Sequence, residues 1–288
     1  MKGPAQFSLL VTIALAIARP AMGDAAPAFH RDGPFLIGAD ISWVQEDPQK
    51  QFKPAAWENL SFADLRKAVY EHTKNVLRAL EKQDTPPAMV QIGNETSNGM
   101  LWPTGKAPEH FDQFAELLRA GIAAAREVDP SMQIVLHTDK GSNDKLAREW
   151  VEQLVQRGVQ FDIVGLSCNG KNPPENWKKT FDALATRFPQ FGLIAAEYGY
   201  HKRELNDIVF NAPDRRGVGT FSWEPTRHHE ALFDHGGHNA GDGTQKGSTT
   251  QPSGVVGSGN HHPRTGRFDT NELMELYPAM AKDYAGGK

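Results

Sequence analysis

Alternating strand and helix patterns place this chain in the α/β class, as a TIM-type (β/α) barrel that is incomplete, with six recognisable strands. Three observations carry this reading. Apolar runs bounded by loop residues recur along the chain, as buried strands do. Amphipathic helical patterns separate them, which implies parallel βαβ units. Two of the runs, Val90-Gln91-Ile92-Gly93-Asn94-Glu95 and Leu193-Ile194-Ala195-Ala196-Glu197, each end on a glutamate. The C-terminal end of a strand is where a parallel barrel carries its chemistry.

The elements follow in order. Residues 1–23 read as a signal peptide: Lys2 gives a positive start, Phe7 to Ala18 an apolar run, and Ala21-Met22-Gly23 small residues for cleavage before Asp24. The run is too short to span a bilayer. Residues 24–288 read as one domain. Phe35 to Trp43 is the first strand, and residues 44–60 are a polar loop with prolines and aromatics. A helix starts at Ser61, where Ser61 and Asp64 form a capping pair. Phe62, Leu65, Val69, Val76 and Leu80 fall on one of its faces.

After the strand ending at Glu95 comes a loop with Trp102. A helix covers about 110–128, with Phe114, Leu117, Ile122 and Ala125 inward. Strands at Gln133–His137, Phe161–Ser167, Leu193–Glu197 and Gly217–Trp223 alternate with helices near 143–157, 175–188 and 203–211. The helix near 175–188 turns Trp177, Phe181, Leu184 and Phe188 to one side. A last helix covers about 270–284, with Leu273, Leu276 and Met280 inward. Residues 225–267, rich in Gly, Ser, Thr, Asn and His, read as a long loop. No repeat and no second domain are found.

Composition narrows the function. The 288 residues are 39% hydrophobic and 23% charged, with a formal net charge of −4. A nucleic-acid partner would need a basic excess. The single cysteine, Cys168, excludes an intramolecular disulfide. A domain of this size buries enough core to do without one. With the leader removed, the expectation is a secreted or periplasmic protein with no membrane contact.

Two carboxylates facing one cleft are the equipment of a glycoside hydrolase. A general acid must hold its proton near neutral pH, which needs partial burial or a nearby negative charge. Glu95 at a strand end opposite Glu197 meets both demands. Asn94 could hydrogen-bond a sugar hydroxyl beside the reacting carbon. Tyr198 and Tyr200 could hydrogen-bond Glu197. Trp43, Trp102 and Trp223 sit at or beyond strand ends, where flat sugar faces could stack on them. Glu224 follows Trp223, and His137 and Asp139 end another strand, able to orient a glutamate or bind a hydroxyl. Against these stand ordinary readings: Glu95 as a helix cap, Glu197 as an exposed loop residue, the tryptophans as core.

His228, His229, His235, His238, His261 and His262 crowd the late loop with Asp234. Their spacing matches no zinc pattern, so no metal site is assigned. Gly254 to Gly259 does not lie between a strand and a helix, which argues against a phosphate-binding loop. Cys168 reads as an ordinary buried thiol.

Several motifs together resemble a known family. They are Gly38-Ala39-Asp40-Ile41-Ser42-Trp43, Lys53-Pro54-Ala55-Ala56-Trp57, Met89-Val90-Gln91-Ile92-Gly93-Asn94-Glu95, Asn98-Gly99-Met100-Leu101-Trp102-Pro103 and Phe161-Asp162-Ile163-Val164-Gly165-Leu166-Ser167. They are similar to the arabinogalactan endo-β-1,4-galactanases of glycosyl hydrolase family 53. The resemblance covers about 36–284, and its 89–103 stretch is long and specific. It implies a (β/α)8 barrel, a retaining mechanism with Glu95 as acid/base and Glu197 as nucleophile, and β-1,4-galactan as substrate. The expected sugar contacts are Asp40, Trp43, Asn94, Trp102, His137, Trp223 and Glu224. Phe221-Ser222-Trp223-Glu224-Pro225 matches the motif of the family's eighth strand.

The chain departs from the family between the first strand and Glu95. Only one helix is found there, and the family's second and third strands are missing, so that Gln45-Glu46-Asp47-Pro48 joins strand one to the loop after strand three. Cys168-Asn169 stands where the family has aromatic residues. The expectation is a monomeric, cofactor-free endo-galactanase, with no sequence support for a structural calcium ion. The alternatives are a galactan-binding pseudoenzyme of the same fold and a metal-dependent hydrolase using the late histidines.

Overall fold

Six parallel strands form one sheet in the order β1-β8-β7-β6-β5-β2. This computed structural model describes residues 28–40, 51–168, 172–223, 225, 232–234, 269–270 and 272–286. The signal-like segment, Trp43, the 45–48 join, Glu224 and the late histidines lie outside the described residues.

The sheet strands are β1 (Leu36–Asp40), β2 (Met89–Gln91), β5 (Gln133–Thr138), β6 (Ile163–Cys168), β7 (Gly192–Tyr198) and β8 (Gly217–Trp223). Two short antiparallel pairs lie outside it: β3 (Gly99–Met100) with β4 (Gly105–Lys106), and β9 (Phe233–Asp234) with β10 (Asp269–Thr270). Among the described residues six α-helices accompany the strands: α1 (Phe62–Lys82), α2 (Phe111–Val128), α3 (Asp144–Gln156), α4 (Pro174–Arg187), α5 (Lys202–Phe210) and α6 (Leu276–Gly286). β2 leads to β5 through the β3–β4 pair and α2, and β5, β6 and β7 each lead to the next sheet strand through one α-helix, the parallel crossover expected of a barrel.

Among the described residues the sheet does not close: β1 pairs only with β8, and β2 only with β5. The expectation of six staves is met, and the gap lies between β1 and β2, across the segment where two strands were not found.

Local chemistry explains the elements. The Ser61 hydroxyl accepts the Asp64 backbone N–H at 3.2 Å, which caps α1 as its sequence suggests. The buried stripe of α1 is Leu65, Val69, Thr73 and Leu77, in steps of four. Leu77 therefore takes the place expected of Val76, which stays half-buried. Asn143 caps α3, its side chain accepting from the Leu146 N–H at 3.1 Å. Phe114, Leu117, Ile122 and Ala125 of α2 are buried as expected, and so are Trp177, Phe181 and Leu184 of α4.

Alternation along the strands divides the core in two. Ile134, Leu136, Val164, Leu166, Leu193 and Ala195 pack toward the helices with Phe114, Leu118, Trp150 and Trp177. Met89, Val135, Ile163, Ile194, Ala196 and Phe221 form a second cluster on the opposite, concave face. Residues that continue this second parity, Gln91, His137 and Ser167, are polar and sit toward the C-terminal ends of their strands. The strands thus turn apolar side chains to the floor of the cleft and polar ones to its mouth.

No described helix is long and apolar enough to cross a membrane.

Candidate active site

Strict alternation would put Glu197 with Leu193 and Ala195, against the helices. A bulge prevents this. β6 pairs Leu166 with Ala195 but Ser167 with Glu197, so Ala196 is one residue too many. Past the bulge the parity reverses. Tyr198 joins the helix-facing core, where its hydroxyl meets Tyr277 of α6 at 2.9 Å and Asn206 of α5 at 3.1 Å. Glu197, 6% exposed, is left facing the cleft. The expectation that Tyr198 would hydrogen-bond Glu197 is corrected: the bulge that aims the glutamate inward aims the tyrosine outward.

Glu95 reaches the same place by a different device. β2 ends at Gln91, so Glu95 is not a strand residue as its apolar run suggests. It lies in the turn beyond, at φ 46°, ψ 47°. This left-handed conformation costs a non-glycine residue of the order of 1–3 kcal/mol and persists only where its surroundings hold it. The surroundings do so here. The Glu95 N–H points at His137 Nδ1 at 3.4 Å. The Thr96 hydroxyl donates to the His137 carbonyl at 3.1 Å. The Gln51 amide donates to the Asn94 carbonyl at 2.8 Å.

The turn, β5 and β7 converge. A carboxylate oxygen of Glu95, a ring nitrogen of His137 and a carboxylate oxygen of Glu197 all lie within 4.8 Å of one another. Ser167 Oγ stands 2.5 Å from Glu95 Oε1 and 2.8 Å from His137 Nε2. His137 Nδ1 is 2.9 Å from Asn94 Oδ1, which also accepts the Gln91 amide at 3.0 Å. The trio is near enough to hold a metal ion, but the two ring nitrogens of His137 are both engaged by neighbours. The arrangement is better suited to orienting carboxylates than to ligation.

Electrostatics separate the groups. Burial pushes the Glu95 carboxyl above the ordinary carboxylate range; the Ser167 contact opposes this, the Asp139 charge adds to it, and Lys140 opposes it. Burial lowers the His137 imidazole to about 3, despite the charge of Asp139, so the ring is neutral at working pH. Burial raises the Cys168 thiol, as expected of an inert core residue.

The other expected site residues that are described lie on β1, β5, β8 and in the β3–β4 turn. His137 is fully buried, and its contacts match orientation of the acid rather than access to a sugar hydroxyl. Asp40 closes β1 in register with Trp223 of β8, whose ring is 37% exposed. Trp102 projects from the turn between β3 and β4. Its indole N–H donates to the Asn98 carbonyl at 2.8 Å, and Phe52 packs edge-on against it at 5.7 Å. Sequence reasoning gave no role to Gln51, Phe52, Gln91 or Ser167. Gln91 and Ser167 could have been singled out as polar residues near the ends of otherwise apolar strands. Gln51 and Phe52 carry no such signal.

Comparison with known proteins agrees with this geometry. The family model described as glycosyl hydrolase family 53 matches residues 39–207. An uncharacterized protein from the bgaB 5′ region of Niallia circulans is 32% identical over 66% of this chain and 63% of its own length. The arabinogalactan endo-beta-1,4-galactanase of Cellvibrio japonicus is 34% identical over 46% of this chain and 37% of its own. The GH53 catalytic domain of Ignisphaera aggregans superposes with a TM-score of 0.60 at 29% identity, over 63% of this chain and 59% of that one. The chain thus spans less than two thirds of each of these relatives. With the family match across more than half of its residues and the barrel staves in common, the chain belongs to glycosyl hydrolase family 53.

Proposed function

We propose that this chain is an exported endo-acting glycoside hydrolase that cleaves β-1,4-galactan with retention of configuration. The observation that carries the reading is the approach of the Glu95 and Glu197 carboxylates to within 4.8 Å at the C-terminal ends of β2 and β7. Retaining enzymes hold their carboxyl groups about 5–5.5 Å apart, whereas inverting enzymes leave about 6.5–9.5 Å for a water. Glu197 attacks the anomeric carbon and forms a glycosyl-enzyme. Glu95, kept protonated by its burial, gives its proton to the leaving oxygen. It then takes a proton from the water that releases the sugar. Asn94, whose Oδ1 is held by Gln91 and His137, turns its amide nitrogen to a hydroxyl next to the reacting carbon. Trp102 and Trp223 offer rings for stacking. Galactan as substrate is supported by similarity to the arabinogalactan endo-beta-1,4-galactanase of Cellvibrio japonicus, and export by the leader-like residues 1–23.

The test is galactan hydrolysis by residues 24–288 and by Glu197→Gln. The unsubstituted chain should release β-configured ends, and the variant should lose turnover while still binding. Equal activity in the two would remove Glu197 as nucleophile. The gap between β1 and β2 favours one second reading, a galactan-binding pseudoenzyme. It predicts binding without hydrolysis by both proteins.

A further inference from the structure

We infer that Tyr198, held by Tyr277 of α6, is a positioning residue that fixes Glu197 in the cleft. Both neighbours of β7 meet the same surplus residue there. Against β6, Leu166 pairs with Ala195 and Ser167 with Glu197. Against β8, Ala195 pairs with Thr220 and Tyr198 with Ser222, so three steps along β7 match two along β8. A strand can take up a surplus residue at more than one point, and each choice turns different side chains into the cleft. Something besides backbone pairing has to choose.

The side chain of Tyr198 makes that choice. It is fully buried on the helix side of the sheet. Its hydroxyl stands 2.9 Å from the Tyr277 hydroxyl and accepts the Asn206 amide at 3.1 Å. Asn206 is itself fixed. Its amide nitrogen also donates to the Lys202 carbonyl at 2.7 Å, and its oxygen accepts the Thr220 hydroxyl at 2.7 Å. Asn206 and Thr220 are fully buried too, and Thr220 is the residue paired with Ala195, where the surplus begins. One member each from β7, β8, α5 and α6 thus closes a set of hydrogen bonds around the bulge.

Were β7 regular, Glu197 would fall in line with Leu193 and Ala195, and Tyr198 would turn away from these partners. Buried polar groups left unpaired cost free energy, so the set opposes that slip. The charge of Glu197 opposes it as well, but only by excluding the carboxylate from the apolar layer. The hydroxyl bonds are directional and fix how far β7 turns. α6 is tied down independently of Tyr198. The Arg203 guanidinium of α5 reaches Asp283 at 2.7 Å, and the Tyr284 hydroxyl donates to Asp207 at 2.8 Å.

The catalytic value of a fixed Glu197 rests on its reading as nucleophile; the fixing itself does not. Tyr198→Phe keeps the ring and removes the hydroxyl. Tyr277→Phe removes the partner and leaves Tyr198 in place. The probe is a fluorosugar galactobioside with a dinitrophenolate leaving group. A Glu197 oxygen bonds to its anomeric carbon and dinitrophenolate departs with the electron pair, so no proton from Glu95 is needed. Mass spectrometry follows the labelling. At saturating probe, Tyr198→Phe should label about 10–100-fold more slowly than the unsubstituted chain, as a misplaced reacting group does. Tyr277→Phe should slow it in the same direction, and the double variant should lose less than the two effects combined, because both act on one contact. A purely structural role would leave the labelling of folded variants unchanged, and that result overturns the inference. If Tyr198→Phe does not fold, Tyr277→Phe decides alone. If the unsubstituted chain is not labelled, the nucleophile assignment fails, and crystal structures of the variants decide the positioning. A Glu197 carboxylate moved from its place within 4.8 Å of Glu95 and His137 upholds it, and an unmoved one overturns it.

Discussion

The indole N–H of Trp150, on α3, donates to the carbonyl oxygen of Thr96 at 3.2 Å. Thr96 directly follows Glu95, so a helix on the outside of the sheet holds the turn that carries the acid. Trp150→Phe keeps the packing but removes the donor. It should lower the unfolding free energy by about 1–3 kcal/mol, the cost of a buried carbonyl left unpaired. Turnover should fall with it, and urea denaturation alongside an activity assay checks both. A variant with lost stability and intact turnover would mean that β2 and β5 alone position Glu95.

Gly93 sets the start of the same turn. Its φ is +78°, and an added Cβ would lie 2.6 Å from Thr96 Cγ2. Gly158 makes a clean control, with φ +67° and nothing within 4 Å of the added atom. Gly158→Ala should cost only the left-handed backbone penalty, about 1–2 kcal/mol. Gly93→Ala should cost clearly more and also displace Asn94-Glu95, lowering activity. Thermal unfolding of the two variants side by side checks the difference, and equal losses would discount the Thr96 clash.

His137 makes stability fall in acid. Its imidazole titrates near 3 in the folded chain, against about 6.5 unfolded. Between these values the unfolded state binds the extra proton, so lowering the pH from about 6.5 toward 3 draws the chain toward unfolding. The slope from this one group approaches 1.4 kcal/mol per pH unit as an order of magnitude. Denaturant titrations across this window should show that slope, and His137→Gln should flatten it. An unchanged slope would point to another group.

Glu95 acts on the alkaline side, because its folded carboxyl is raised rather than lowered. The native state then holds its proton after the unfolded state has released it. The associated stability is full below the unfolded value and is lost as pH rises through the folded one. Glu95→Gln should therefore gain stability relative to the parent as pH rises, while losing about 10²–10⁴-fold in turnover. Unfolding free energies of both proteins over the same pH series give the check; curves that stay parallel would contradict the raised value.

Much of the fold was legible in the chain. Helices α2, α3 and α4 advertise themselves through apolar residues at helical spacing, because each must bury one stripe against the sheet. The six strands were legible as apolar runs, and the missing pair as a segment too short to hold them. The approach of Glu95 and Glu197 was an expectation from their positions at strand ends. Trp43, Glu224 and the late histidines had the same kind of sequence signal but fall outside the described residues.

By itself the sequence determined which runs enter the core and that two glutamates follow such runs. The tertiary structure decided where those glutamates point. Period-two alternation assigns Glu197 to the helix side, and only the slip in pairing between β6 and β7, with Ala196 unmatched, turns it into the cleft. The left-handed turn at Glu95 and the placing of Ser167 between His137 and Glu95 are of the same kind. Periodicity is a property of one segment, and the chain writes it locally. A bulge, a strained turn and a buried set of hydrogen bonds are settled by the neighbours that pair with them, and those neighbours come from strands 30 or more residues away along the chain.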